Sequence, residues 1–397
     1  MSSTVNAANK TIREFVSSFM LTGCLTLLLI FYNWNKVSVA QWLLTLPFFV
    51  LLYFTVFSIG KETVLERFHE WIKPNWFRVF LFPVFLLLGY VIYLLRNGQN
   101  PLHGNPYLVV YILFFPVIAY AFRRNPSAKI GWFDFTVFVL TLLPGALFDA
   151  EQSSDMPLGG EGFDSFFHVM IILSGVYVFA VVRGIKEVGF VPEWKWKSLG
   201  IAIGAWLSFY ALVLVLGTSV GFIQVIGYDK AFGILFKSIL FSMIGTFLHT
   251  ALYEELFFRG ILQNMLSRRI SQSKSWKIFW AAGFVLLLAC AFIVGYTLDG
   301  KMKWFPALVT VLLFAVAYFI EKSGKSEIGI YTSLALTSVT FGLVHYHAKS
   351  IIYIGLACVA GWAYGYTYIK TKNVFYSALV HMLVNTSVLI FGLKMIR

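Results

Sequence analysis

The chain has 397 residues, of which 59% are hydrophobic and 12% charged, and its mean hydropathy is +0.78. This composition excludes an ordinary soluble domain and indicates a chain that crosses a bilayer repeatedly. The net charge of +13 does not argue for nucleic acid, because the basic residues sit in short connections between apolar runs, where they orient a membrane protein.

Apolar runs of about 17–25 residues mark helices able to span the hydrocarbon. The first six are Phe15–Tyr32, Val39–Ile59, Phe77–Leu95, Tyr107–Phe122, Trp132–Phe148 and Phe166–Val182. Seven more follow: Ser198–Thr218, Phe232–Phe258, Ile278–Leu298, Trp304–Ile320, Ile328–His345, Ile351–Ile369 and Val374–Phe391. The predicted fold class is all-α, a polytopic transmembrane helix bundle of about 13 spans (range about 11–14).

Cys24, Cys290 and Cys358 all lie in apolar runs, so neither a disulfide framework nor a zinc ribbon is indicated. Leu21–Cys24 resembles a lipoprotein cleavage box, but the run continues to Tyr32 and reads as a first membrane helix. With a cytoplasmic N-terminus the inner connections collect 22 Lys and Arg and the outer ones eight, Lys237 lying within a span. That asymmetry predicts N-in, and the outer connection Asp149–Asp164 carries no Lys or Arg. An integral protein of the cell (inner) membrane is expected.

A boundary falls at Arg183–Lys197. Residues 1–182 form a six-helix membrane region whose residues name no role, and residues 183–397 hold every polar constellation. Within the latter, Ser271–Glu327 reads as an inserted helical hairpin.

Three constellations stand out. In His249–Gly260 (HTALYEELFFRG), Glu255 and Arg259 are spaced i, i+4 and share a helix face. Glu254 points about 100° away. Ionisable groups at membrane depth are costly and usually paired or functional, and a carboxylate in apolar surroundings suits a general base. An ion-paired helix end at the interface is the structural alternative. The second is Phe341-Gly-Leu-Val-His345, closing a run rich in hydroxyls (Thr332, Ser333, Thr337, Ser338, Thr340), as expected where a helix lines a wet cavity. A lone histidine there also serves as an interfacial anchor, and His347 is a weaker candidate. The third is His381-Met-Leu-Val-Asn385, again i, i+4. Its two side chains can hold an oxyanion or join neighbouring helices by hydrogen bonds.

The order EExxxR, FxxxH, HxxxN resembles the CPBP family of CAAX prenyl proteases and bacteriocin-processing enzymes, also called the Abi family, whose eukaryotic relatives are the Ras-converting type II CAAX proteases. The matching residues are Glu254, Glu255 and Arg259; Phe341 and His345; His381 and Asn385. The surrounding text ELFFRGIL, TFGLVH and GWAYGYTYIKTKNVFYSALVHMLVN also fits, over roughly Arg183–Phe391. The resemblance implies a CAAX-type glutamate intramembrane endopeptidase opening toward the cytoplasm. Glu254 with His345 would activate water, and His381 with Asn385 would form the oxyanion hole. Glu255, Arg259 and Phe341 would support the site. It implies no cofactor. The partners are the lipid bilayer and a membrane-associated protein or peptide substrate, with no nucleic acid; the oligomeric state stays open.

Two alternatives accompany this reading. A zinc protease would use Glu254, His345 and His381 as ligands, although HExxH is absent. A non-enzymatic transporter or scaffold would use the same polar cavity for binding. The gap between the first two motifs is longer than the family suggests, and the six N-terminal spans are additional. Hydropathy also places Glu254 and His381 in the cytoplasmic half but His345 nearer the outer side. His249 with Tyr253, Lys237 and Asp134 read as structural, and Gly361 with Gly365 as a small-residue packing face.

Overall fold

The computed structural model describes residues 2–34, 38–96, 100–101, 106–122, 129–147, 166–228 and 231–396. Asp149–Asp164, and Lys36, Arg123, Arg124, Lys230 and Arg397 from the charge count, lie outside the described residues. Each of the thirteen apolar runs falls on helix. Among the described residues six helices are long and apolar enough to cross a membrane by length and composition: Phe15–Asn33, Val39–Ile59, Trp196–Ser219, Phe232–Ser273, Trp276–Thr297 and Phe305–Lys322. The chain is a multi-pass, all-α membrane protein.

Two compact units divide it. The first comprises Met1–Glu193 with Leu248–Leu256, the second Trp194–Phe247 with Phe257–Arg397. The first unit holds α1 (Ser2–Asn33), α2 (Val39–Ile59), α3 (Glu62–Ile72), α4 (Leu81–Arg96), α5 (Pro106–Ala121), α6 (Trp132–Leu147) and α7 (Phe166–Gly175), the last continuing as a π-helical turn to Val182. α3, between the second and third apolar runs, is short and amphipathic. Its Phe68 sits edge-on to Phe82 and Tyr177, at 5.7 and 6.0 Å between ring centres. Asp134, expected to be structural, is fully buried and accepts from Arg183 Nε at 2.5 Å and from Gly131 N–H at 2.8 Å. Removing one partner of such a buried pair typically costs about 3–5 kcal/mol. Gly60 is required because a Cβ there would lie 1.7 Å from the Phe190 carbonyl oxygen.

The second unit is built from α8 (Trp196–Ser219), β1 (Ile223–Val225), α9 (Phe232–Gly245), α11 (Asn264–Ser273), α12 (Trp276–Thr297), α13 (Phe305–Lys322), α14 (Ile330–Val344), α15 (Ile351–Thr371), α16 (Val374–Ile390) and β2 (Leu393–Met395). The four-residue α10 (Leu252–Glu255) belongs to the first unit. The helix predicted to end at Phe258 runs unbroken from Phe232 to Ser273, over 42 residues. π-helical turns at Thr246–Ala251 and Leu256–Gln263 flank α10 on both sides.

α12 and α13 form a hairpin in which Trp280 Nε1 donates to the Phe314 carbonyl at 2.9 Å. α13 then fixes the start of α14. Glu321, buried, accepts from the backbone N–H groups of Gly329, Tyr331 and Thr332 at 3.1, 2.9 and 3.0 Å. A carboxylate satisfying the free amides of a helix N-terminus is favoured by both hydrogen bonding and the helix dipole. Gly329, at φ 91°, sits against Ile270 and Ser267 of α11, where a Cβ would lie 2.7 Å from that of Ile270. α14 therefore begins beside α11, beyond Phe258.

α14 and α15 pack through glycine. A Cβ on Gly342 would lie 2.6 Å from Cys358 N and 2.8 Å from the Ile354 carbonyl oxygen, and one on Gly361 would lie 3.0 Å from Ser338 Cα. The hydroxyls of α14, expected at a cavity, are absent from the wall of the one that holds His345 and His381. Ser333, Thr337, Ser338 and Thr340 donate to carbonyls three or four residues back in their own helix. Such internal bonding, combined with small size, permits the close approach of α15.

Candidate active site

The three motifs lie on α10–α11, α14 and α16. Within the first unit α10 packs against α7. Glu255 is fully buried and Glu254 half-buried. The His249 ring lies 4.2 Å from His168 of α7, and Tyr253 lies 5.0 Å from the same imidazole. π-helical turns are frequent at functional sites because they interrupt the regular backbone ladder. Here a pair of them brackets the acidic doublet.

In the second unit Phe341 is the hub of the second and third motifs. Its ring centre lies 4.7 Å from His345, 5.7 Å from His381, 5.7 Å from Tyr364 and 5.1 Å from Phe258. The fully buried Arg259 guanidinium stands 5.0 Å over the same ring, 5.6 Å from Phe258 and 5.9 Å from Tyr364. Three aromatic faces around one desolvated guanidinium give a cation–π cage, an arrangement worth about 2 kcal/mol or more when shielded from water.

His345 is the C-cap of α14 and opens a 3₁₀ turn, His345–Ala348, instead of closing the helix. Its Nδ1 lies 2.7 Å from the Phe341 carbonyl oxygen. A carbonyl only accepts, so Nδ1 carries a proton and Nε2 is the ring atom turned away from that carbonyl. His381 is buried and stacks on Tyr364 at 4.6 Å with an interplanar angle of 11°. Asn385 is exposed, one turn along α16.

His345, His381 and Asn385 all line one cavity of about 170 Å³, with Phe341, Tyr353 and Tyr364. Its remaining wall is apolar, from Phe209, Val213, Leu356 and Val388 among others. Two imidazoles and a carboxamide around one cavity can take a proton and hold a developing oxyanion. His347 is exposed and does not line the cavity. Among the described residues no group of three or more His, Cys, Asp or Glu is arranged to hold a metal.

Residues 236–330 and 324–387 match the Rce1-like type II CAAX prenyl endopeptidases. Over this C-terminal region the chain is similar to that family, which supports a membrane-embedded endopeptidase in general terms. Searches of curated proteins and of solved structures return no match to the chain.

The sequence reading missed four residues that shape these surroundings. Tyr364 lies inside GWAYG, which was read for its glycines alone, and Tyr353 faces the cavity from the first turn of α15. Glu321 has no motif around it, and His168 stands in a region with no recognised pattern. Only Tyr364 carried a local signal, seven residues after Ala357 on the same face of α15. The cavity also reaches β1 and β2, at the ends of α8 and α16.

Proposed function

We propose that the chain is a glutamate-type intramembrane endopeptidase that cuts a membrane-associated protein or peptide near the bilayer, in the cell membrane. The observation that carries this reading is the convergence of His345, His381 and Asn385 on one cavity, with Phe341 against both imidazoles. Glu254 and His345 together take the proton of a water molecule as its oxygen attacks the scissile carbonyl carbon. The carbonyl oxygen becomes an oxyanion held by His381 and the Asn385 carboxamide. The C–N bond then breaks, and the proton passes to the leaving amine. Glu255 and Arg259 keep the shape of the helix that carries Glu254.

A prenylated tail is one substrate option that the family offers, and substrate docking or partner binding is the role we propose for residues 1–182. No cofactor takes part. The zinc alternative is tested by metal analysis of the purified protein and by chelation, with activity retained as the expected result.

The test compares membrane proteomes of wild-type and Glu254→Gln cells. New N- or C-termini present in the wild type should vanish in the variant. Identical termini in both strains, with Glu254→Ala and His345→Ala proteins assembled and fully functional in cells, exclude the protease.

A further inference from the structure

The catalytic reading leaves the two short strands unused. They pair antiparallel with Ile223 opposite Met395, Gln224 opposite Lys394 and Val225 opposite Leu393. The flanking bonds fix which pairs are hydrogen-bonded. Ile396 N–H donates to the Phe222 carbonyl at 2.8 Å, and Ile226 N–H to the Gly392 carbonyl at 2.9 Å. Bonded and non-bonded pairs alternate along an antiparallel ladder. Gln224 and Lys394 therefore form the bonded pair inside the sheet. The backbone groups of Ile223 and Val225 point away from β2, and those of Leu393 and Met395 away from β1.

The two outer edges differ. Val225 is 66% exposed, and Gln224, Ile226, Gly227 and Tyr228 around it are exposed as well, whereas Leu393 is 5% exposed. The open edge is that of β1. The opposed side chains of Ile223 and Met395, with Phe222 before them, line the cavity that holds His345, His381 and Asn385. β1 thus supplies the open edge at Val225 and, through Ile223 two residues earlier, part of the cavity wall.

We propose that the Val225 edge of β1 receives an extended peptide segment of the substrate as a third strand. The proposal rests on the endopeptidase reading of the cavity. Its physical basis is general. A peptide bond must be unwound before hydrolysis, and an unwound backbone in apolar surroundings leaves N–H and C=O groups whose burial without partners costs several kcal/mol each. Strand addition satisfies those groups through the main chain, independently of sequence, while alternate side chains turn to the sheet face that looks into the cavity. Gly227, at φ 72°, ends the edge after two residues, which limits the pairing to the short stretch beside the cavity.

The test uses the full-length Glu254→Gln protein in lipid nanodiscs and a fluorescent peptide ending in a prenylated CAAX box. Val225→Pro removes an edge N–H that β2 does not use, and proline is tolerated on edge strands. One lost backbone hydrogen bond should weaken peptide binding roughly tenfold relative to Val225→Ala, which keeps the N–H. In wild-type background the same proline should raise KM and leave kcat little changed. Isotope-edited infrared spectra of the peptide, labelled at one carbonyl and bound to the protein without the proline, should show the amide band of a paired β-strand. That measurement decides the matter even where Val225→Pro fails to assemble. Unchanged binding by assembled Val225→Pro protein, a helical amide band, or no peptide binding at all would each overturn the proposal. Proline-sensitive binding without any cleavage by the wild type would keep the edge and remove the protease reading.

Discussion

The phenol ring of Tyr364 lies on the imidazole of His381, 4.6 Å between ring centres and 11° from parallel. The stack locks the His381 plane, and Ser377 Oγ, donating to the Tyr364 carbonyl at 2.9 Å, ties α15 to α16 beside it. An aromatic pair of this kind is worth about 0.5–1.5 kcal/mol beyond its buried area. Tyr364→Leu should lower kcat by about two- to tenfold with KM nearly constant, and Tyr364→Phe should restore it. Steady-state kinetics on purified protein measures both.

Asn385 is exposed and lines the cavity. Asn385→Ala should assemble and melt like the wild type but lose about 10²–10³ in kcat, the usual effect of removing one oxyanion donor. An unchanged kcat would show that the oxyanion is held elsewhere.

Arg259 tests shape against charge. Its guanidinium is enclosed by Phe258, Phe341 and Tyr364, and a lysine ammonium cannot stack on several rings at once. Arg259→Lys should therefore be destabilised by about 2 kcal/mol or more, seen as earlier thermal unfolding in detergent. Retention of wild-type stability by the lysine variant argues against the cage.

Gly342→Ala places a methyl 2.1 Å from Cys358 Sγ and within 3 Å of two backbone atoms of α15. Overpacking of this kind typically costs about 1–3 kcal/mol, and because Phe341 is the adjacent residue, activity should fall with stability. Gly200→Ala on α8, where nothing lies within 4 Å of the added atom, is the control. It should be neutral or stabilising by up to about 1 kcal/mol.

Topology and cavity access are linked through β1. In a protein lacking its three native cysteines, Gln224→Cys and Lys325→Cys introduce exposed thiols. The charge asymmetry predicts that a membrane-impermeant maleimide labels Gln224→Cys in intact cells and Lys325→Cys only after permeabilisation. The reverse pattern places the strands, and the cavity wall they form, in the cytoplasm.

The sequence by itself determined the helical membrane class, the three motifs and the glycine face of α15, because each is a property of a single segment. Hydropathy sums over one helix, and an i, i+4 spacing puts two side chains on one face wherever that helix lies. Which helices become neighbours, and how far each is shifted along the bundle, was decided by the tertiary structure. Glu321 capping α14 and Gly329 seated on α11 set the height at which Phe341 and His345 reach His381. Gly342 against Cys358 sets how closely α15 brings Tyr364 to that imidazole. The hydroxyls of α14 misled for the same reason, since a serine that bonds its own helix and a serine that faces water read alike in one dimension. The strands escaped notice because three residues of β-structure at each of two helix ends carry no periodicity until Gly392 brings Leu393–Met395 back beside Ile223–Val225.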